Sequence, residues 1–307
     1  MKKQISAILV CGMFFTLICT SCGNNNKNNV DGKENYIIYD IDFPEYAGEL
    51  QPNITTKVNM DIPEMDSLVT YIAKKNKITD SDKEKLCDIF EVDIKNAKED
   101  DVHTVIEENN KRLSIYDKGN YKYSNGKNSE SKVQFDDAKA VNIAESYLRE
   151  KGLLPDGFEY AGIGIGELVI GKKSIVNEKT VFFNRFIDGK EVEGDACIMV
   201  TLIGAGEITK VISSYNDEIE KETVDERNII SVEDALKDIV DLKNFLDIDE
   251  EADELEINNV SIRYWEESSP YEDKAYVQPV YEVTGKQYKN GKDKGEFRII
   301  TQAIKNS

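Results

Sequence analysis

The chain has 307 residues, with 59 acidic against 39 basic side chains, a net charge of −20 and an isoelectric point near 4.6. That excess of carboxylate repels nucleic-acid phosphates and anionic lipid, so neither is expected as a partner of the folded body. One histidine excludes any zinc site that needs two, and the length suffices for one large or two ordinary domains.

Lys2 and Lys3 open the chain, Ile5 to Cys19 is largely apolar, and Thr20-Ser21-Cys22 sets small residues before a cysteine. This is the layout of an export signal over residues 1–21. Its ending resembles a bacterial lipobox, whose peptidase cuts before a cysteine that has received a diacylglycerol. The resemblance implies lipidation at Cys22, with diacylglycerol on the thiol and an N-acyl chain such as palmitate on the new amino terminus. It also implies a cell-membrane position on the extracytoplasmic face, and no other cofactor is expected. An apolar run of about 15 residues falls short of the roughly 20 that span a bilayer. Loss of residues 1–21 removes Lys2 and Lys3 and no acid, leaving 37 bases against 59 acids, net −22. Cys11 and Cys19 leave with the signal. A bridge could then join only Cys87 and Cys197, although Cys87 on a helical pattern and Cys197 on a strand pattern also read as buried thiols.

Residues 22–35 are expected to form a disordered tether: Gly23 to Asn35 contains one apolar side chain, Val30, and reaches roughly 20 Å. Tyr36 to Asp42 predicts a short strand. From Pro63, the spacing of Met65, Leu68, Val69, Ile72 and Ala73 predicts an amphipathic helix ending near Lys77. Thr79 and Asp82 form a capping-box pattern before a second helix carrying Leu86, Cys87, Ile89 and Phe90. Lys111–Tyr116 and Tyr121–Tyr123 read as strands around a turn. The polar stretch 124–132 reads as a boundary. A third helix begins near Asp136, with Ala138, Val141, Ile143, Ala144, Tyr147 and Leu148 as its apolar set and Gly152 as its stop.

Strands follow at Glu159–Val169, Thr180–Ile187, Lys190–Leu202 and Glu207–Tyr215. Asp188-Gly189 predicts a type I′ hairpin turn, and Gly204-Ala205-Gly206 the next reversal. Ser231 and Asp234 cap a fourth helix expected to run to about Phe245, and strands return at Glu256–Tyr264, Ala275–Gly285 and Gly295–Lys305. Helix followed by antiparallel strands thus occurs twice in outline.

The run from Val181 to Gly194, with its Arg185-x-Ile187-Asp188-Gly189 and Val192-x-Gly194 signature, followed by Ile198–Ile203 and Gly206-x-Ile208, resembles the PepSY-type hairpin. Gln278-Pro279-Val280-Tyr281-Glu282-Val283 with Phe297–Ile304 resembles the closing hairpin of YycI-like and YycH-like regulators. The resemblance implies an α+β fold with helices packed on antiparallel sheets. Two PepSY-like helix-plus-sheet modules, at 131–220 and 221–307, would follow a more helical N-terminal region at 36–130. PepSY modules occur in protease-inhibiting propeptides, and YycI-like proteins restrain a membrane sensor kinase. The implied function is therefore a non-enzymatic, lipid-anchored regulatory protein that engages a sensor kinase, protease or envelope component. The alternatives are a lipoprotein that binds small molecules or peptides, including the immunity type, and an envelope hydrolase.

Catalytic and metal-ligating residues are not apparent. His103 lies in Asp101-Val102-His103-Thr104 with no nucleophile motif beside it. Gly162-Ile163-Gly164-Ile165-Gly166-Glu167 lacks the pattern of a dinucleotide loop and predicts a strand with one bare side. In Asp247–Asp253, Ala252 stands at the glycine position of a calcium loop, so a solvated acidic loop is expected. Aromatic residues in strands also anchor partners, which makes Trp265, with Tyr264, Arg185 and Tyr281, the expected partner-binding set.

Overall fold

The computed structural model describes residues 54–61, 68–74, 77–100, 103–117, 119–170, 173–194, 196–216, 218–223, 229–237, 245–246, 248–249, 251–268 and 274–305. The expected export signal, Cys22, the tether and the strand at 36–42 lie outside them.

The chain begins with strands β1 (Thr55–Val58) and β2 (Val69–Lys74), helix α1 (Asp80–Phe90) and a short 3-10 turn. Four strands follow: β3 (Ala97–Glu99), β4 (His103–Glu108), β5 (Lys111–Tyr116) and β6 (Tyr121–Ser124). After helix α2 (Asp137–Glu150) come β7 (Phe158–Ile170), β8 (Lys173–Ile187), β9 (Lys190–Gly194), β10 (Cys197–Ile203), β11 (Glu207–Ser214) and β12 (Glu218–Thr223). Helix α3 (Val232–Lys237), β13 (Phe245–Leu246), β14 (Glu254–Ser268), β15 (Lys274–Lys289) and β16 (Lys292–Gln302) complete the order.

The strands form one connected path, β12-β2-β15-β14-β9-β8-β10-β11-β6-β5-β4-β3, with β1, β7, β13 and β16 attached to its members. One half centres on the antiparallel β14-β15-β16 meander, the other on β8 with β7 and β10. They join where β8 turns through Asp188 (φ 50°) and Gly189 (φ 73°) into β9, the left-handed pair that a type I′ turn requires. β9 then runs parallel to β14, with Val192 beside Tyr264 and Gly194 beside Glu266. β1 lies parallel to the start of the same β14 edge. Pro279, which has no N–H to donate, falls on the second edge of β15 between the stretch paired to β2, ending at Val277, and the stretch paired to β16, beginning at Val280.

Three cores follow from this layout. The first gathers α1 and α2 on the β8 half, with Leu86, Phe90, Leu113, Ala140, Leu148, Phe183 and Val200 among its members. Ala140, Ala144 and Leu148 recur at four-residue intervals, so one stripe of α2 faces the sheet. The second core sets α3 against β14, β15 and β16 through Val232, Leu236, Ile257, Tyr281 and Ile299. A small third cluster of Tyr71, Ala73, Val192, Tyr264 and Val277 lies under the β9–β14 seam.

Helices packed on antiparallel sheets do not describe this molecule. Strands dominate the described residues, the three α-helices are accessories, and the sheet is mixed because β1 and β9 run parallel to β14. The cause is strand length. β8, β14 and β15 run 15, 15 and 16 residues, so each bridges several partners. β6 pairs with β11 across the expected division at 130, and β2 pairs with both β12 and β15.

Two helix expectations change with it. Residues 69–74 of the helix expected from Pro63 to Lys77 are strand β2. Flanked by β12 and β15, β2 buries Tyr71, Ile72 and Ala73 in succession, and a short apolar run buried on both faces mimics helical spacing. The helix capped by Ser231 is present, with Asp234 N donating to Ser231 Oγ at 3.1 Å, but Phe245 belongs to β13. The capping box of α1, the α2 helix and both reversals at 188–189 and 204–206 are found as expected.

Candidate functional site

β7 pairs with β8 along its length and, among the described residues, with no other strand. Its second edge therefore has no strand partner among the described residues, and an unpaired edge is a template for strand addition. Four large hydrophobic side chains are exposed among the described residues, and three of them, Tyr160 (47%), Ile165 (45%) and Val169 (67%), lie on β7. The Gly-Ile alternation leaves one side of the strand bare, and β8 uses the space: a Cβ on Gly164 would stand 3.1 Å from Phe182 Cε2. Ile163 packs on the first core. The charged residues of β7 are Glu159 and Glu167, both exposed, and Glu167 accepts a hydrogen bond from Ser174 Oγ at 2.7 Å. Partial burial raises the Tyr160 phenol pKa, and Asp137 adds to that shift.

A second constellation ties the two halves together. Arg263 Nε is 2.6 Å from Glu282 Oε2, and its Nη1 donates to Glu191 and, at 3.1 Å, to Glu193. Arg298 donates from Nε to Glu282 at 2.5 Å and from Nη2 to Glu193. Asn184 donates to Glu191 at 2.7 Å, and Ser261 to Glu282 at 3.1 Å. Five charged side chains from β9, β14, β15 and β16 thus share one site, three carboxylates against two guanidinium groups. Burial, the largest influence on Glu193, pushes its carboxyl above the usual range, and Arg298 and Arg263 offset only part of this. Burial also pushes on Glu282, but there the two arginines prevail and hold the carboxyl low. Burial pulls both guanidinium groups down, and Glu193 and Glu282 outweigh it. Every charge is held by an opposite one, so the arrangement clamps strands and offers no free acid, base or nucleophile.

The residues expected to bind a partner are interior. Trp265 and Tyr264 are each 4% exposed, Arg185 6% and Tyr281 0%. Tyr264 meets Tyr71 edge-on at 5.3 Å, and Tyr71 OH donates to Asp188 Oδ2 at 2.7 Å. Arg185 Nη1 is 3.5 Å from Glu266 Oε2, its Nη2 donates to the Asn216 carbonyl, and its guanidinium lies over Phe158 and Tyr215. Arg185 and Glu266 form the polar end of the seam beside Tyr264 and Trp265. Tyr281 sits apart in the second core and donates to the Ile230 carbonyl at 2.7 Å. Tyr264 and Trp265 are consecutive and project to opposite faces of β14, and both are buried, so this stretch is covered on both faces.

Cys87 and Cys197 are buried and are not joined in a disulfide. His103 Nδ1 lies 2.7 Å from Asp100 Oδ1, and its ring stacks on Tyr116, a strand-end contact. In the acidic run, Asp249 and Glu251 pair with Lys294 at 3.2 and 3.4 Å, and Asp247 lies outside the described residues. Among the described residues no group of three His, Cys, Asp or Glu side chains is arranged to hold a metal. A shallow groove lined by Asn142, Ile143, Ser146, Tyr147, Glu150 and Ile208 runs beside α2. Burial there pushes the Tyr147 phenol up to about 12.

Sequence reasoning missed both the exposed trio on β7 and the five-charge clamp. The Gly-Ile alternation marks an unusual strand but not which of its edges stays open. The clamp has no local signature, since its members come from four strands.

No family model matches the chain, and no curated protein does. Among solved structures, an uncharacterized protein from Eubacterium rectale aligns with a TM-score of 0.43 at 10% identity, covering 84% of this chain and 91% of that one. The Bacillus megaterium YpeB C-terminal domain aligns with a TM-score of 0.36 at 11% identity, covering 73% of this chain and 99% of that domain. Likenesses at those scores decide neither fold nor function here.

Proposed function

We propose that the protein is a lipid-anchored, extracytoplasmic binding protein that regulates a protein partner without catalysis, and that it receives the partner along the open edge of β7. The observation that carries this reading is the pairing of β7 with β8 alone among the described residues, together with exposed Tyr160, Ile165 and Val169 on that strand. An edge of this kind is completed by an added strand, whose main chain supplies hydrogen bonds and whose side chains supply selection. The export-signal layout ending at Cys22 and the resemblance of residues 181–208 to a PepSY-type hairpin support the anchor and the regulatory role.

A photo-crosslinking residue placed at Val169 in cells should capture one envelope or membrane protein that the same residue at exposed Lys292, in the β16 strand, does not capture. Equal capture from both positions, or none from Val169, overturns the reading. Cys22→Ala should abolish fatty-acid labelling of the chain, and labelling that persists removes the anchor.

A further inference from the structure

We propose that the segment received by β7 is an extended, cationic stretch of the partner, whose apolar side chains rest against Ile165 and Val169 and whose lysine or arginine side chains lie beside Glu159 and Glu167. This rests on the reading of β7 as a docking edge and adds the chemistry of the occupant.

Strand edges that must stay single carry lysine, proline or very short pairings. β7 has neither lysine, arginine nor proline across its 13 residues. Its regular central run, Gly162 to Gly166, is bounded by two register irregularities, so a short added strand matches the edge better than a long one.

Charge decides the occupant. Glu159 and Glu167 stand eight residues apart, roughly 26 Å along a strand. On β8, Lys179 faces Ile165 but is held by Asp137 at 2.7 Å and by the Phe135 carbonyl at 3.1 Å. Lys173 stands opposite Ile170, beyond Glu167. The strand itself thus carries two carboxylates and no cation, on a body of net charge −22 once residues 1–21 are lost. A second copy pairing through the same strand would add its own Glu159 and Glu167 to the contact and be repelled, whereas a cationic segment is drawn in.

The test is titration of the full chain, kept in detergent, with labelled peptides that share one apolar, β-prone centre and differ in their flanks: lysine, serine or glutamate. The lysine-flanked peptide should bind at least about tenfold more tightly than the serine-flanked one, and this advantage should shrink when salt rises from about 0.05 M to about 0.5 M. Glu159→Gln with Glu167→Gln should bring the two to equal affinity. Ile165→Lys with Val169→Lys should abolish binding with the melting temperature unchanged, because both side chains are exposed. If that variant melts early, Val169→Ser is read in its place. Equal binding of all three peptides overturns the charge selection and leaves strand addition standing. Binding that survives the lysine variant, or no binding by any peptide, overturns both. A dimer seen by sedimentation and lost in the lysine variant makes a second copy the occupant and overturns the cationic assignment.

Discussion

Arg298 and Glu193 stand 105 residues apart in sequence and form an ion pair, the guanidinium Nη2 donating to Oε1. The contact joins β16, near the end of the chain, to β9, the hairpin strand that carries the chain from one half of the sheet to the other. Arg263 and Glu282 close the circuit at 2.6 Å, so the seam is held by interlocked bonds.

Arg298→Met should cost about 2–4 kcal/mol of unfolding free energy, since it leaves two partly buried carboxylates short of a cation. Urea denaturation measures this, and a loss below about 0.5 kcal/mol, the range of an ordinary surface change, would show that the clamp is not holding the seam.

The two carboxylates should titrate in opposite senses. Glu282, held low by the arginines after burial is overcome, contributes stability above its unfolded value of about 4.3 and loses it as pH falls through the lower folded value. Glu193, raised by burial, contributes stability below about 4.3 that is lost as pH rises through its higher folded value. Relative to the parent chain, Glu282→Gln should therefore cost more at pH 7 than at pH 4, and Glu193→Gln less. Melting curves across that range check both signs.

Gly194→Ala should destabilise by about 2 kcal/mol or more, because positive φ and a steric clash act together. The residue has φ 91°, and a Cβ there would stand 2.2 Å from the Glu266 carbonyl oxygen on the neighbouring strand. Differential scanning calorimetry reads the loss, and an unchanged melting temperature would mean that β9 can move off β14 at no cost.

Tyr281→Phe should cost about 1 kcal/mol through loss of the hydrogen bond to the Ile230 carbonyl. Burial pushes this phenol up to about 12, so its contribution is complete below the unfolded value of about 10 and fades between there and about 12. Alkaline unfolding followed by circular dichroism should begin at the same pH in the variant but show a smaller fall across that window.

The single tryptophan reports on the core. With Trp265 4% exposed, its emission should lie to the blue of free indole and resist iodide quenching until the chain unfolds. Cys87 and Cys197, buried and unbridged, should escape alkylation in the native chain and react on unfolding. Early reaction at either would show that its core opens locally.

Local chemistry made the short-range features legible. Thr79 with Asp82, Asp136 ahead of the helix carrying Ala144 and Leu148, and Asp188-Gly189 each encode their structure in a few consecutive residues, because caps and tight turns are satisfied within one or two turns of backbone, whereas the sheet-facing Ala140 was not in the expected apolar set. The open side of β7 was half legible, since Gly162, Gly164 and Gly166 announce a bare face while the pairing of the strand's second edge depends on the rest of the chain. Residues 69–74 were misread for a physical reason: burial on both faces erases the period that separates strand from helix. Trp265, Tyr264, Arg185 and Tyr281 look like a binding set in sequence and are interior once β8, β14 and β15 assemble. Sequence alone determined the acidic balance, the caps and the turns. Tertiary structure decided that strands rather than helices dominate the described residues, that among them β7 pairs with β8 alone, and that five charges from distant strands meet at the seam, because those outcomes depend on pairings between residues as far apart as Glu193 and Arg298.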